Sequence, residues 1–162
     1  MKKYNLLYIA ICSTMVFASC DDFLDTMPDN RAEINTESKI TSLLVTAYPV
    51  KTDVVMTEMS SYNAMDNSTR FSIESQEQEE AYLWSDITAT GDDSPKGFWD
   101  ACYGAIAAAN QALDAINSMG NPTNLQAQRG EALLCRAYGH FALANVFCLP
   151  YNQETAETDM GI

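Results

Sequence analysis

Four side chains between residues 63 and 84 have the chemistry of a sugar-binding site. Trp84 offers a flat apolar surface on which a pyranose ring can stack. Asn63, Asp66 and Arg70 carry amide, carboxylate and guanidinium groups that exchange hydrogen bonds with hydroxyls. Because large aromatic residues are buried on average, the competing interpretation is that Trp84 packs against the rest of the fold.

Residues suited to catalysis or to metal binding are few. His140 is the single histidine, and no matched nucleophile accompanies it, so we interpret it as a packing or partly exposed residue. The cysteines are scattered and leave little material for a zinc site. The sequence therefore predicts a binding protein rather than an enzyme, with no metal and no cofactor. An acidic tract most simply forms a solvated face, with calcium capture as the alternative: Glu74, Glu77, Glu79 and Glu80.

The charge and the composition exclude other classes of protein. The chain has 162 residues, with 9 Lys and Arg against 22 Asp and Glu, and a formal net charge of −13. Such an acidic chain is unsuited to nucleic acid, which requires Lys and Arg on the contact face. The apolar content of 47% is typical of a folded protein, and the length allows one domain with an extended arm.

The first residues have the pattern of a secretory signal. Lys2-Lys3 precede an apolar stretch too short to span a membrane, and the small residues Ala18-Ser19 come directly before Cys20. A cysteine in this place resembles a bacterial lipobox, in which the signal is removed and the cysteine is acylated. We expect residues 1–19 to be a lipoprotein signal peptide and Cys20 to carry the anchor. An ordinary signal peptide with a chance cysteine is the alternative.

The other cysteines of the mature chain do not predict a disulfide framework. Cys135 and Cys148 are 13 residues apart on one predicted helix, which places them about 20 Å from each other. Together with Cys102 they make an odd number of thiols on helical faces. We expect them to act as small buried hydrophobic residues.

The segment before residue 95 combines an arm, one helix and a long loop. Residues 20–35 are polar and predict a lipidated, extended tether. Thr36 has the position of an N-cap, and helical spacing after it predicts a helix that continues to Tyr48, before Pro49. Residues 51–94 show no sustained period and predict a long irregular loop with short helical turns.

The strongest pattern predicts two long helices. Ser94-Pro95 form an N-cap and N1 pair, and Gly120 can end this first helix in a left-handed cap. Thr123 and Gln126 have the spacing of a capping box for a second helix, which ends at Leu149-Pro150. The short connection predicts an antiparallel αα-hairpin, and the fold class is therefore all-α.

Each long helix carries a distinctive row of residues. We expect the row on the first helix to have no partner in this chain, because no further apolar element is evident: Ala101, Ala105, Ala108, Ala112 and Ala115. On the second helix we expect the packing seam to alternate small and large residues: Gly130, Leu134, Ala137, Phe141, Ala144 and Cys148.

Two polar residues of the hairpin have testable roles. Asn110 lies within an apolar stripe, so we expect it to be buried and to fix the hairpin by a hydrogen bond. Arg136 has two candidate partners, Glu131 or the loop, and the sequence does not distinguish them.

These features together resemble a known family. The hairpin resembles a tetratricopeptide unit, with Trp99 and Tyr103 opening its first helix. The wider set of motifs resembles the SusD/RagB family of surface lipoproteins of Bacteroidetes. The motifs are Cys20-Asp21-Asp22-Phe23-Leu24-Asp25, Trp99-x3-Tyr103-x2-Ile106-x3-Asn110-x2-Leu113, Arg129-Gly130-Glu131-Ala132-Leu133-Leu134-Cys135-Arg136-Ala137-Tyr138-x2-Phe141, Pro150-Tyr151 and Asp159-x-Gly161-Ile162.

The resemblance implies a function and a location. SusD/RagB proteins are mostly helical, capture glycans or peptides, and close as a lid over a TonB-dependent, SusC-like transporter. They are lipid-anchored in the outer membrane and face the cell exterior. For this chain the resemblance implies an anchor at Cys20 and a surface-export signal at Asp21 and Asp22. Family ligand sites also draw on the region that contains Asn63 and Trp84.

The length departs from the family pattern. Family members are several times longer, and this chain ends shortly after the first hairpin. We therefore expect residues 36–162 to be a truncated SusD-like N-terminal helical domain, incomplete relative to the family, which by itself binds glycans weakly or not at all because most of the body that would complete a pocket is missing. The alternative function is a helical-repeat, tetratricopeptide-like lipoprotein that binds proteins and no glycan.

Overall fold

The computed structural model describes residues 33–66, 72 and 74–162. The chain divides into two units, Met1–Glu33 and Ile34–Ile162, and the elements below all belong to the second. Within the described residues there are five α-helices and no strand, which confirms the all-α class. They are α1 (Glu37–Leu44), α2 (Val54–Met59), α3 (Gln76–Tyr82), α4 (Pro95–Ser118) and α5 (Gln126–Phe147), with a 3-10 turn at Thr123–Leu125 before α5.

The helices α4 and α5 form the predicted antiparallel hairpin. Phe98 near the start of α4 stacks on Phe147 at the end of α5, with ring centroids 6.3 Å apart. Gly139 permits the close approach of the two helices, since a Cβ at this position would lie 2.7 Å from Ile106 Cγ1. Leu143 is completely buried between them. The hairpin is therefore a packed unit and not merely two adjacent helices.

Two of the predicted N-caps are confirmed and a third is wrong. The Thr36 hydroxyl accepts from the Lys39 backbone N–H at 3.4 Å, and the Ser94 hydroxyl accepts from the Gly97 N–H at 3.0 Å. Thr123 does not cap α5, because it lies inside the 3-10 turn, which buries Leu125 in the core and delays the start of α5. The helix α1 is also shorter than predicted, with turns after its last residue up to position 48.

The alanine row of α4 has a partner within the chain, which contradicts our expectation. The helix α1 and the turn after it place Ile40, Leu44 and Ala47 on this row, and all three are buried. Small residues on α4 let the backbone of α1 come close, so a short helix is sufficient to cover them. The members of the row in this cluster are Ala108, Ala112 and Ala115, and Ala109 beside the row belongs to the same cluster.

The packing seam predicted for α5 is also wrong. Leu134 and Phe141 are 72% and 67% exposed, so the row of alternating small and large residues lies on the outside of the hairpin. The reason is that α5 is apolar on two sides, and spacing alone does not show which side meets α4. The buried row is instead Ala132, Cys135, Gly139 and Leu143.

Other expectations for the hairpin have mixed outcomes. Cys102 and Cys135 are buried free thiols, as predicted, whereas the free thiol Cys148 is only half-buried. Arg136 donates from Nη1 to Asn110 Oδ1 at 3.2 Å, which provides a partner that differs from both candidates. Asn110 thus ties the two helices together, but it does so on the surface and not in the core.

Candidate ligand-binding site

Two short helices support the region in which the sugar-binding residues were predicted. The Ser60 hydroxyl, just after α2, donates to the Ala81 carbonyl of α3 at 3.2 Å. Met56 and Ala81 are buried, so α2 and α3 also share apolar contact surface. The pair holds the loop that follows each helix near the other, and these two loops carry the candidate residues.

The first loop is organised by side-chain hydrogen bonds. The Asn63 side-chain amide donates to Glu58 Oε2 at 2.8 Å, and its backbone N–H donates to Ser61 Oγ at 3.0 Å. The backbone N–H of Asp66 donates to the Tyr82 hydroxyl at 3.2 Å. Asp66 is therefore held at the last turn of α3, and Asn63 is held at the end of α2.

The second loop begins with a Schellman motif at the end of α3. The backbone N–H of Trp84 donates to the Ala81 carbonyl at 3.2 Å, and that of Ser85 donates to the Glu80 carbonyl at 3.0 Å. The motif requires a left-handed residue at Trp84, where φ is 54°. Glycine is the usual residue at this position, because a side chain there costs about 1–2 kcal/mol.

Burial of the Trp84 side chain does not compensate for the backbone strain at this position. Trp84 is 77% exposed, so the interpretation that it packs against the hairpin is wrong. Leu83 beside it and Tyr62 and Met65 in the first loop are exposed as well. An exposed large side chain held in an unfavourable backbone conformation is typical of a functional position.

Glu80 anchors the chain that follows Trp84. Its carboxylate accepts from the Gln76 side-chain amide at 2.7 Å, from the backbone N–H of Ala89 at 3.1 Å, and from that of Thr88 at 2.8 Å. These donors lower the pKa of Glu80 to about 2. Glu80 thus fixes the loop that follows α3. Within the described residues, no cluster of three or more His, Cys, Asp or Glu side chains could hold a metal ion.

Three of the predicted site residues lie on two neighbouring loops. Asn63, Asp66 and Trp84 all lie on the two loops at the ends of α2 and α3. Arg70, and the predicted anchor and export residues Cys20 and Asp21-Asp22, lie outside the described residues. Sequence reasoning missed the exposed ring of Tyr62, which was visible only as an aromatic next to polar loop residues.

Residues 22–162 match the SusD-like_3 family, which is described as "Starch-binding associating with outer membrane". The chain belongs to this SusD-like family. No curated protein and no solved structure matches it. The description of the SusD-like family names a polysaccharide, the class of ligand for which an exposed tryptophan beside polar groups is suited.

The SusD-like family description also associates the chain with the outer membrane. No helix in the described part of the chain has both the length and the apolar character needed to cross a bilayer.

Proposed function

We propose that this SusD-like protein captures a glycan at the cell surface through the loops at the ends of α2 and α3. The observation that carries the proposal is Trp84, which is both exposed and held at positive φ by a Schellman motif. A residue chosen for stability alone at that position would be glycine. The tryptophan ring supplies a stacking surface, and stacking on sugar rings is the use that the family description favours.

Polar groups for a sugar's hydroxyls lie on the neighbouring loop. Asn63 uses its amide N–H for Glu58, and its Oδ1 accepts no hydrogen bond from the described residues. Asp66 is held beside Tyr82 by its backbone and contributes a carboxylate. Arg70 is retained in the proposal as a further hydroxyl-binding residue. Tyr62 adds a second exposed aromatic ring.

Capture needs no chemistry beyond these contacts. Binding through stacking and hydrogen bonds requires a preformed surface and no activated nucleophile or resident cofactor. A glycan delivered to the cell surface must then pass the outer membrane, and we propose that a TonB-dependent, SusC-like transporter receives it. A peptide nutrient is a second ligand class for the same route.

We further propose that the protein is held at the outer membrane by acylation of Cys20, with Asp21 and Asp22 directing it to the exterior. The family's association with that membrane supports the location. Metabolic labelling with a palmitate analogue should label the wild type and fail to label Cys20→Ala. Protease applied to intact cells should digest the wild type and spare Asp21→Ala/Asp22→Ala. Equal labelling of Cys20→Ala, or equal digestion of the export variant, would contradict these assignments.

The glycan site has an internal control, because the chain contains only two tryptophans. Trp99 packs against Tyr103 and Phe147, with ring centroids 4.9 and 5.1 Å away. Fluorine-19 NMR of the 5-fluorotryptophan-labelled chain gives one resonance for each. Titration with a malto-oligosaccharide should shift the Trp84 resonance saturably, with a dissociation constant of about 1 mM, and leave Trp99 unchanged.

Two further measurements make this titration decisive. Trp84→Phe identifies the Trp84 resonance by its loss, and a cello-oligosaccharide at matched concentration measures selectivity among glucans. Unchanged resonances with both sugars would overturn the proposed site. A shift of Trp99 alone would place the ligand on the hairpin and away from Trp84.

A further inference from the structure

The proposed glycan site lies in an unusually acidic segment of the chain. Residues 52–95, which include α2, α3 and the loops after them, contain ten Asp and Glu but only one Arg, a net charge of −9. Since the whole chain has a net charge of −13, the other residues together carry only −4. The negative charge is therefore concentrated in the segment that contains Asn63, Asp66 and Trp84.

Three carboxylates are placed near Trp84 by the backbone or by hydrogen bonds. Asp86 is exposed and follows Trp84 by two residues, so the two Cα atoms are at most about 7 Å apart. Asp66 is held at the last turn of α3, where its backbone N–H donates to the Tyr82 hydroxyl at 3.2 Å. Glu80 lies four residues before Trp84, and its pKa of about 2 keeps the carboxylate ionised near neutral pH. A ligand stacked on the Trp84 ring therefore meets a negative potential.

The described lysines and arginines do not offset this charge. Lys51 precedes α2, and its amine pairs with Asp92 Oδ1 at 2.8 Å, which neutralises one of the ten carboxylates. Lys96 pairs with Asp100 within α4. Arg70, outside the described residues, is the one cation between residues 52 and 95. The other described cations are on α1 and α5: Lys39, Arg129 and Arg136.

This distribution of charge affects charged and uncharged glycans differently. Stacking and hydrogen bonds to hydroxyls are available to both classes of sugar. A uronic acid or a sulfated sugar also brings negative charges, and each pair of like charges about 10 Å apart in water lowers the affinity about twofold. Several such pairs lower it at least about tenfold for an oligosaccharide. Repulsion of the wrong ligand is a common source of specificity.

We propose that the carboxylates beside Trp84 make the site selective for uncharged glycans and exclude anionic ones. The inference rests on the proposed function, because it concerns the ligand of the same two loops. Trp84 and the hydroxyl-binding groups supply the affinity, and the carboxylates that do not contact the sugar supply the selectivity. Asp86 is the residue of this second kind that lies nearest to Trp84 in the sequence.

A matched pair of sugars tests the selectivity. The fluorine-19 titration of Trp84 is repeated with a malto-oligosaccharide and with the same oligosaccharide oxidised at C6 to the uronic acid, so that chain length and linkage are equal. In about 10 mM sodium chloride, the oxidised sugar should have a dissociation constant at least about tenfold higher. In about 1 M salt, which screens the repulsion, the two constants should agree within about twofold.

The outcomes separate this inference from the proposed function. A response to the neutral sugar together with equal or tighter binding of the oxidised one at low salt would overturn the selectivity and leave the site intact. A difference that salt does not change would also overturn it, because the cause would then be the lost C6 hydroxyl. No response of Trp84 to either sugar would overturn the proposed function and this inference with it.

Two variants locate the charge that is responsible. Asp86→Lys and Asp114→Lys change the net charge equally, and both aspartates are exposed. Asp114 lies 20 residues beyond the N-cap of α4, which is about 30 Å along the helix axis. At low salt, Asp86→Lys should lower the dissociation constant of the oxidised sugar about fourfold and leave that of the neutral sugar unchanged. Asp114→Lys should change neither. Equal effects of the two variants, with helices intact by circular dichroism, would contradict a local origin of the selectivity.

Discussion

The helices α3 and α4 both end in a Schellman motif, but the left-handed residue of the motif is of a different type in each. At the end of α4, Gly120 donates to the Asn117 carbonyl at 2.9 Å and Asn121 to the Ile116 carbonyl at 3.0 Å. Gly120 has a φ of 79°. The end of α3 repeats this pattern of two hydrogen bonds, but the left-handed residue is Trp84, with a φ of 54°.

The residue type at Gly120 is explained by folding alone, whereas the residue type at Trp84 needs another explanation. Glycine at the end of α4 removes the steric cost of the left-handed conformation and contacts nothing. Tryptophan at the end of α3 incurs that cost and gains little burial in return. A functional role for the exposed ring supplies the missing reason, and this is the central claim of the proposed function.

The two helix ends also differ in the residue whose carbonyl closes the motif. Ile116, whose carbonyl closes the motif at Gly120, is completely buried in the core formed with α1. The equivalent residue at Trp84 is Glu80, which fixes the following loop through hydrogen bonds. One cap is therefore stabilised by apolar packing and the other by polar contacts.

The largest effect is expected at the buried cap. Ile116→Ala removes a completely buried side chain and should lower the free energy of unfolding by about 2–5 kcal/mol. Asn117→Ala, next to it and exposed, is the control and should change stability far less. Urea denaturation monitored by circular dichroism measures both. A loss below about 1 kcal/mol for Ile116→Ala would indicate that this cap is not part of the core.

Exchanging the residue type tests whether the two caps are equivalent. Gly120→Trp reproduces the α3 arrangement at the end of α4. Because a Cβ there meets no neighbouring atom, the cost is that of the backbone alone, about 1–2 kcal/mol. Gly104→Trp is a matched control, since Gly104 also has open space around it but lies within the helix. Equal denaturation midpoints for the two variants would show that positive φ carries no penalty here.

The polar cap is expected to depend on pH. The pKa of Glu80 is lowered from 4.5 to about 2, so its contribution is fully present above about pH 4.5 and is lost as pH falls through about 2. Amide hydrogen-exchange protection of Thr88 and Ala89, corrected for intrinsic rates, should fall in that window. Glu80→Gln should abolish the pH dependence, and Glu79→Gln should preserve it. Protection that persists unchanged to pH 2 in the wild type would contradict the anchoring role.

The smallest stability effect is expected at Trp84. Trp84→Gly relieves the strained side chain but adds backbone entropy to the unfolded chain, and the balance should stabilise the protein by about 0.5–1 kcal/mol. Asn121→Gly is the control, because Asn121 also has positive φ but is of a type that tolerates it. Destabilisation by Trp84→Gly in urea denaturation would mean that the ring contributes to folding after all.

The sequence predicted the features that depend on local chemistry. The N-caps at Thr36 and Ser94 and the left-handed Gly120 follow from short-range hydrogen bonding, and each is present. The all-α class follows from helical spacing over long segments. These features need no knowledge of which elements meet in the fold.

Features that depend on which surfaces meet were not predictable in the same way. Spacing showed that α5 has an apolar row through Leu134 and Phe141 but not that another row faces α4. It also did not show that α1 would cover the alanine row of α4. The exposure of Trp84 contradicts the average behaviour of tryptophan, and its backbone conformation contradicts the usual residue preference, so neither was accessible from propensity.

The most direct test of the central claim measures stability and glycan binding in the same pair of proteins. Wild type and Trp84→Gly are compared by urea denaturation and by affinity electrophoresis in gels that contain starch. We predict that the variant is the more stable of the two and that the weak retardation of the wild type by starch is lost. A variant that keeps the wild-type retardation, or that unfolds more easily than the wild type, would contradict the claim that Trp84 is held at the end of α3 to bind glycan.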